Sequence, residues 1–243
     1  MRLKRSEAEM SKGIAYGVGV GPGDPELMTI RACRLIREND VIAVPGKVPQ
    51  DAAAYRIALG TVPELADKEL VPVYMPMVRD RQLIAESHRK AADVIESYLD
   101  QGKNVVYITL GDSTIYCTFS YIQHLLEADG YETVLVPGIT SFCAAAAALN
   151  VPLTEWDEPL HVVPALHNTE EGSLAWPGNY VLMKSASRMR EVKEMLSHTG
   201  LDVQAVENCS MENEKIYRSL GEIPDDAGYF SLIVAKEKKE TGK

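Results

Sequence analysis

The chain has 243 residues, 46% of them hydrophobic, which is enough for a packed core and excludes an intrinsically disordered chain. Acidic residues outnumber basic ones, 35 against 25, for a formal net charge of -10 and a pI near 5.1. That balance excludes a wholesale nucleic-acid binder, which needs surplus Lys and Arg to neutralise phosphates.

Met1 to Arg5 is basic, but Ser6 to Lys12 is polar and the next apolar stretch is broken by glycines and Pro22, which is not a signal-peptide core. Residues 1–9 are expected to be an extension, with Met10 as an alternative start. Gly13 to Val20 reads as a buried first strand, and Gly21 to Pro25 as a sharp loop. Glu26 to Arg37 has helical periodicity, with Asp24 as the expected cap and Pro25 at the first helical position. Asp40 to Val44 is a strand stopped by Pro45-Gly46, and Asp51 to Leu59 is a helix. Leu70 to Tyr74 is a strand, and Arg79 to Leu99 a long amphipathic helix. Asn104 to Leu110 is a strand that runs into the loop Gly111–Ser113. Thr114 to Glu127 is a helix, and Tyr131 to Val136 a strand ended by Pro137-Gly138. Thr140 to Leu149 is a close-packing helix with five consecutive alanines. Beyond it, strands are expected at Leu160–Pro164, Tyr180–Lys184, Val203–Glu207 and Tyr229–Ala235, and a helix at Ser187–His198. The charged tail Lys236–Lys243 is expected to fray.

Strands alternate with helices through residue 136, the pattern of a parallel sheet covered on both faces. The fold class is therefore α/β with two domains. Residues 13–136 form one with a mostly parallel sheet, and residues 137–240 a second with a mixed sheet.

Ligands of open parallel sheets bind beyond the carboxyl ends of the strands. Three glycine-punctuated loops meet that description: Gly21–Asp24, Gly111–Ser113 and Gly138–Ser141. Glycine lets backbone approach a ligand closely, so three such loops point to a cofactor crevice. A dinucleotide site fits poorly. The glycines at 17, 19, 21 and 23 alternate, Pro22 removes an N–H, and Asp40 begins the second strand instead of ending it.

Cys33, Cys117, Cys143 and Cys209 form no paired motif, which argues against a thiolate metal site and for reduced thiols in a cytoplasmic protein. His88, His124, His161, His167 and His198 show no metal-ligand spacing. No apolar run reaches the ~18–20 residues of a membrane helix. No protein-bound metal, nucleic acid or membrane partner is expected.

The segment Val18-Gly19-Val20-Gly21-Pro22-Gly23-Asp24-Pro25-Glu26-Leu27-Met28-Thr29 resembles the N-terminal signature of the tetrapyrrole methylases. Leu110-Gly111-Asp112-Ser113-Thr114-Ile115-Tyr116 resembles their second motif, and Val136-Pro137-Gly138-Ile139-Thr140-Ser141 their third. The chain looks nearest to the branch acting on C-20 of precorrin-2 or its cobalt complex. Thr118–Tyr121, Val181–Lys184, Glu214–Ile216 and Tyr229–Leu232 carry that likeness.

The resemblance implies a homodimer of two-domain α/β chains, with S-adenosylmethionine in a cleft between the domains and S-adenosylhomocysteine as product. Carried over by position, it implies cofactor contacts at Gly21, Pro22, Leu110, Gly111, Asp112, Ser113, Ile115, Thr140, Ser141, Met183, Cys209 and Ser231. Asp112 and Tyr116 flank the donor loop and are the candidate catalytic groups for removing the C-20 proton. The second motif usually reads Gly-Asp-Pro, and Ser113 in place of the proline is expected to cost the loop some rigidity. Uroporphyrinogen methylases carry an acid after the second strand, where this chain reads Val44-Pro45-Gly46-Lys47.

The resemblance also implies a reduced tetrapyrrole substrate rich in carboxylates, so an acidic protein needs a local basic rim. Lys47, Arg79, Arg81, Lys184, Arg188 and Arg190 are the candidates. The other readings are methylation of a different tetrapyrrole or of diphthamide, and a noncatalytic tetrapyrrole- or nucleotide-binding module.

Overall fold

A computed structural model of the chain describes residues 11–76, 78, 80–165 and 174–238. Arg79, His167, Met10 and the last residues of the charged tail lie outside them. The chain divides into two compact units, Met1–Ile139 and Thr140–Lys243.

The first unit is a parallel sheet of five strands: β1 (Ile14–Gly19), β2 (Val41–Pro45), β3 (Glu69–Val73), β4 (Val105–Thr109) and β5 (Glu132–Val136). Their order is β3-β2-β4-β1-β5. Successive residues of a strand point to opposite faces, so a strand covered on both sides must be apolar throughout. Val41 to Val44 and Val105 to Ile108 are all buried. On one face, Val18, Val20, Ile42, Val106 and Ile108 pack with α1 (Ile30–Glu38) and α2 (Ala53–Thr61). On the other, Ala43, Val71, Val73, Val105 and Tyr107 pack with α3 (Arg81–Leu99) and α4 (Phe119–Ala128). Full burial of each large aliphatic side chain is worth about 1.5–3 kcal/mol, so both faces contribute to stability.

Two helices begin later than their periodicity predicts. Pro25–Leu27 is a single tight turn, with the Glu26 N–H donating to Asp24 Oδ1 at 2.8 Å. The chain then runs extended through Met28, which is buried, and Thr29 becomes the cap of α1 by accepting the Ala32 N–H at 3.1 Å. The stripe that α1 buries (Ala32, Cys33, Leu35, Ile36) starts after Thr29, so packing favours the later start. The residues from Thr114 to Thr118 are a loop, and α4 starts at Phe119. Tyr116 has φ 49°, a left-handed conformation that cannot continue into a right-handed helix.

The second unit contains α5 (Ser141–Leu149), α6 (Met189–Ser197) and the strands β6 (Leu160–Pro164), β7 (Asn179–Met183), β8 (Asp202–Glu207), β9 (Lys215–Tyr217) and β10 (Ser231–Lys236). The sheet order is β6-β7-β10-β8-β9. β6 and β7 are parallel and the remaining pairs antiparallel, which is the expected mixed sheet. β9 was not predicted, being too short to show a period. The alanine run of α5 buries Ala144, Ala145 and Ala146 and lies close to β8 and β10. α6 buries Met189, Val192 and Leu196 with Tyr180, Leu182, Ala205 and Ile233. Among the described residues no helix is long and apolar enough to cross a membrane.

Candidate functional site

Within the first unit the connection from β1 runs to β2 on one side, while that from β4 crosses to β5 on the other. Loops leaving neighbouring strands in opposite directions open a crevice at the carboxyl ends of β1 and β4. The loops after β1, β4 and β5 meet there. Gly21 and Gly111 exchange backbone hydrogen bonds, the Gly111 N–H donating to Gly21 O at 2.7 Å and the Gly21 N–H to Gly111 O at 3.1 Å.

Asp112 joins the second loop to the third. Its carboxylate is buried. Oδ2 accepts the Gly138 N–H at 2.8 Å, and Oδ1 accepts the Thr114 N–H at 2.7 Å and the Thr114 hydroxyl. The neighbouring Ser113 donates its hydroxyl to Val136 O at 2.9 Å. The serine that replaces proline therefore supplies a tether of its own to the end of β5. A buried carboxylate taking backbone N–H bonds is a strong, directional anchor.

The backbone here is packed without side chains. A Cβ on Gly19 would lie 2.6 Å from Gly111 O and 2.8 Å from Gly138 N. One on Gly138 would lie 2.2 Å from Gly111 O. Real Cβ atoms essentially never come closer than 3.0 Å. The three loops thus form a cradle packed backbone on backbone, with the N–H groups of Gly21, Gly111 and Gly138 bonded within it. Gly21, Pro22 and Gly111 are buried, whereas Ile115 and Tyr116 stand out of the cradle, Tyr116 with nearly half of its surface exposed. A left-handed aromatic residue costs about 1–3 kcal/mol, and such strain concentrates at turns and functional sites.

In the second unit, β7 and β8 both run antiparallel to β10, so their carboxyl ends flank its start. That brings Met183, Cys209 and Ser231 to one end of the sheet. The Asn208 N–H donates to Phe230 O at 3.1 Å, and the Ser231 hydroxyl donates to Gly228 O at 2.7 Å. Burial pushes the Cys209 thiol above its ordinary range, which disfavours the thiolate. Lys184, Asn208 and Ser210 all have φ between 53° and 61°, a concentration of left-handed residues at this one end. Thr140 precedes α5, its hydroxyl oxygen buried and, among the described residues, without a hydrogen-bond partner. Ser141 is half-buried.

Sequence reasoning missed Ser185, which is fully buried with its hydroxyl equally unpartnered. It also missed Glu207. Burial opposes ionisation of this carboxyl, but bonds from the Tyr217 hydroxyl and the Gly228 N–H, both at 2.9 Å, and the nearby Lys215 outweigh it and hold the group below its usual range. The same contact raises Tyr217 to about 12, with burial contributing most. Neither Ser185 nor Glu207 belongs to a sequence motif.

The basic candidates are scattered. Lys47 follows β2, its ammonium 4.6 Å from the centre of the Tyr74 ring, and Arg81 is exposed at the start of α3. Arg188 pairs with Glu191, Nε to Oε2 at 2.6 Å, and Arg190 with Asp225 at 3.5 Å. His88 stacks on Tyr121 and His161 on Tyr180, each at 4.8 Å. Among the described residues no group of three or more His, Cys, Asp or Glu is arranged to hold a metal ion.

A parallel sheet with a backbone cradle at its switch point defines an α/β protein built to hold a small polar ligand. Over residues 15–224 the chain matches the family Tetrapyrrole (Corrin/Porphyrin) Methylases, and it belongs to that family. It is 33% identical over 229 residues to a protein of Methanocaldococcus jannaschii named probable cobalt-precorrin-2 C(20)-methyltransferase, covering 92% of this chain and 96% of that one. It is 27% identical over 241 residues to a precorrin-2 C(20)-methyltransferase of a Sinorhizobium species, covering 94% and 97%. The fold is similar, with a TM-score of 0.66 and 22% identity, to uroporphyrin-III C-methyl transferase from Thermus thermophilus complexed with S-adenyl homocysteine, covering 93% of this chain and 98% of that one.

Proposed function

We propose that this chain is an S-adenosylmethionine-dependent C-methyltransferase that methylates C-20 of cobalt-precorrin-2 in cobalamin biosynthesis. The observation that carries the reading is the likeness, over nearly the whole chain, to the Methanocaldococcus protein of that name. The cradle supports it. The Gly21–Gly111 backbone pair fixes the backbone of Leu110 and Asp112 at the mouth of the crevice, a place that suits the amino-acid end of such a donor. The unpartnered Thr140 hydroxyl is a polar group free to meet a ligand.

S-adenosylmethionine, when bound, supplies a methyl group on a positively charged sulfur, already activated for transfer to an electron-rich carbon. The chain then has to orient and to exclude water, and orientation alone is worth about 7–11 kcal/mol of barrier. Asp112 serves that end through the loops. Both of its oxygens are taken by Thr114 and Gly138, so we assign it a positioning role. Tyr116, exposed and left-handed four residues after Asp112, is assigned the C-20 proton. Its oxygen accepts that proton as its own hydroxyl proton passes to bulk solvent on the exposed side of the ring, outside the crevice from which water is excluded. The reading includes a cytoplasmic homodimer, and sedimentation of the purified chain checks the dimer.

The test is an anaerobic turnover assay with S-adenosylmethionine and either precorrin-2 or its cobalt complex, the product read by mass and NMR. One methyl added at C-20, with the cobalt form preferred, is the expected result. Preference for the metal-free ring would move the chain to the reaction named for the Sinorhizobium relative. No transfer to either would overturn the substrate.

A further inference from the structure

Several cations of the first unit are held in ion pairs. Arg37 meets Glu64 at 3.7 Å, Lys68 meets Asp40 at 3.6 Å, Lys103 meets Glu69 at 3.9 Å, and Arg89 is gripped by Asp93, Glu96 and Asp129. Lys47 is different. Among the described residues it forms no ion pair, although the chain carries a net charge of -10. It is exposed, and its ammonium lies over the ring of Tyr74, which is itself half exposed.

The fold holds that pair in place. β2 and β3 run parallel in register from Val41↔Glu69 to Pro45↔Val73, and the Gly46 N–H extends the ladder by donating to Val73 O at 2.9 Å. Lys47 and Tyr74 are the next residues of the two strands' exits. A long flexible side chain is ordered by resting its ammonium on an aromatic face, which leaves N–H donors on the far side for an anion. β2 also pairs with β4, from Val41↔Val105 to Ala43↔Tyr107. Neighbouring strands lie about 4.8 Å apart, so Lys47 emerges one strand away from the loop that carries Asp112 and Tyr116, on the same end of the sheet.

We propose that Lys47, positioned by Tyr74, is a carboxylate-binding subsite that anchors a peripheral carboxylate of the tetrapyrrole beside the Asp112 loop. This rests on the reading of the substrate as a carboxylate-rich tetrapyrrole. Lys47 is a substrate-binding residue and Tyr74 a positioning residue for it.

The probe is uroporphyrin, a stable porphyrin whose side arms all end in carboxylates, titrated by fluorescence at low and high salt. Lys47→Gln weakens binding about three- to fivefold at low salt, and Lys47→Glu about tenfold. Lys47→Arg stays within about twofold of the parent, and Tyr74→Leu falls about twofold. High salt shrinks the difference between Lys47→Gln and the parent, because screening weakens the lost contact. S-adenosylhomocysteine affinity, measured alongside, is unchanged in every variant and reports an intact fold. Parent-like binding by both Lys47→Gln and Lys47→Glu overturns the inference, as does absence of uroporphyrin binding to the parent. Loss of binding in the variants of a chain that transfers no methyl to either precorrin-2 form overturns the proposed reaction and leaves the subsite standing. C-20 turnover with parent-like binding of the variants does the reverse.

Discussion

Asp112 and Gly138 lie on different loops and are joined by one hydrogen bond, the Gly138 N–H donating to Asp112 Oδ2 at 2.8 Å. The other carboxylate oxygen is held by Thr114. The bond fixes the loop after β4 against the loop after β5, on either side of the cradle. Its consequence is that a change at Asp112 acts on the geometry of the whole crevice.

Asp112→Asn tests this. The amide keeps one acceptor, but its NH2 would face the Gly138 N–H or the Thr114 donors, and one bond is lost to donor–donor conflict. The expected cost is about 1–3 kcal/mol, seen as a melting temperature lower by roughly 3–8 °C. S-adenosylhomocysteine affinity, by calorimetry, is expected to fall at least tenfold. A purely acid–base role predicts parent stability and affinity with only kcat reduced.

Gly138→Ala is the sharpest probe of the cradle. The added carbon would sit 2.2 Å from Gly111 O, so backbone must move. We expect about 1–3 kcal/mol of destabilisation and loss of measurable S-adenosylhomocysteine binding in calorimetry.

Tyr116 separates stability from activity. Tyr116→Gly removes the left-handed penalty, so the melting temperature should hold or rise, while kcat/KM falls at least tenfold. Tyr116→Phe should keep substrate KM and lower kcat. Full turnover by the Phe variant would remove Tyr116 from proton transfer.

Glu207 predicts an acid-sensitive second unit. Its folded-state pKa lies below the ordinary value of 4.5, so its stabilisation is complete above that value and is lost as pH falls through the folded one. Thermal unfolding followed from neutrality into this acid range should show the loss in the parent. Glu207→Gln should lower stability by about 1–3 kcal/mol at neutral pH and flatten the acid limb.

Much of this was legible in the residues. The apolar runs Val41–Val44 and Val105–Ile108 demand strands buried on both faces, because no period-2 alternation leaves them a wet side. The glycine-punctuated loops after β1, β4 and β5 signalled their own importance, since glycine is retained where a side chain would collide. The start of α1 at Thr29 and of α4 at Phe119 was not legible, because helical periodicity continues upstream of both. In each case a contact chose the boundary: burial of Met28 in one, the Asp112–Thr114 bonds in the other.

The sequence by itself determined the α/β class, the parallel and mixed sheets and the family, since these rest on local periodicity and on contiguous motifs. Tertiary structure alone decided what the motif residues do. It showed that Asp112 spends its oxygens on Thr114 and Gly138, that Ser113 replaces a rigid proline with a tether to Val136, and that Tyr116 is held left-handed in the open. It also set Lys47 on Tyr74, separated by a whole helix and strand in the chain, at the common exit of two neighbouring strands. Hydrogen bonds and ring contacts between distant segments exist only once strand order and register are set, and no local pattern encodes them.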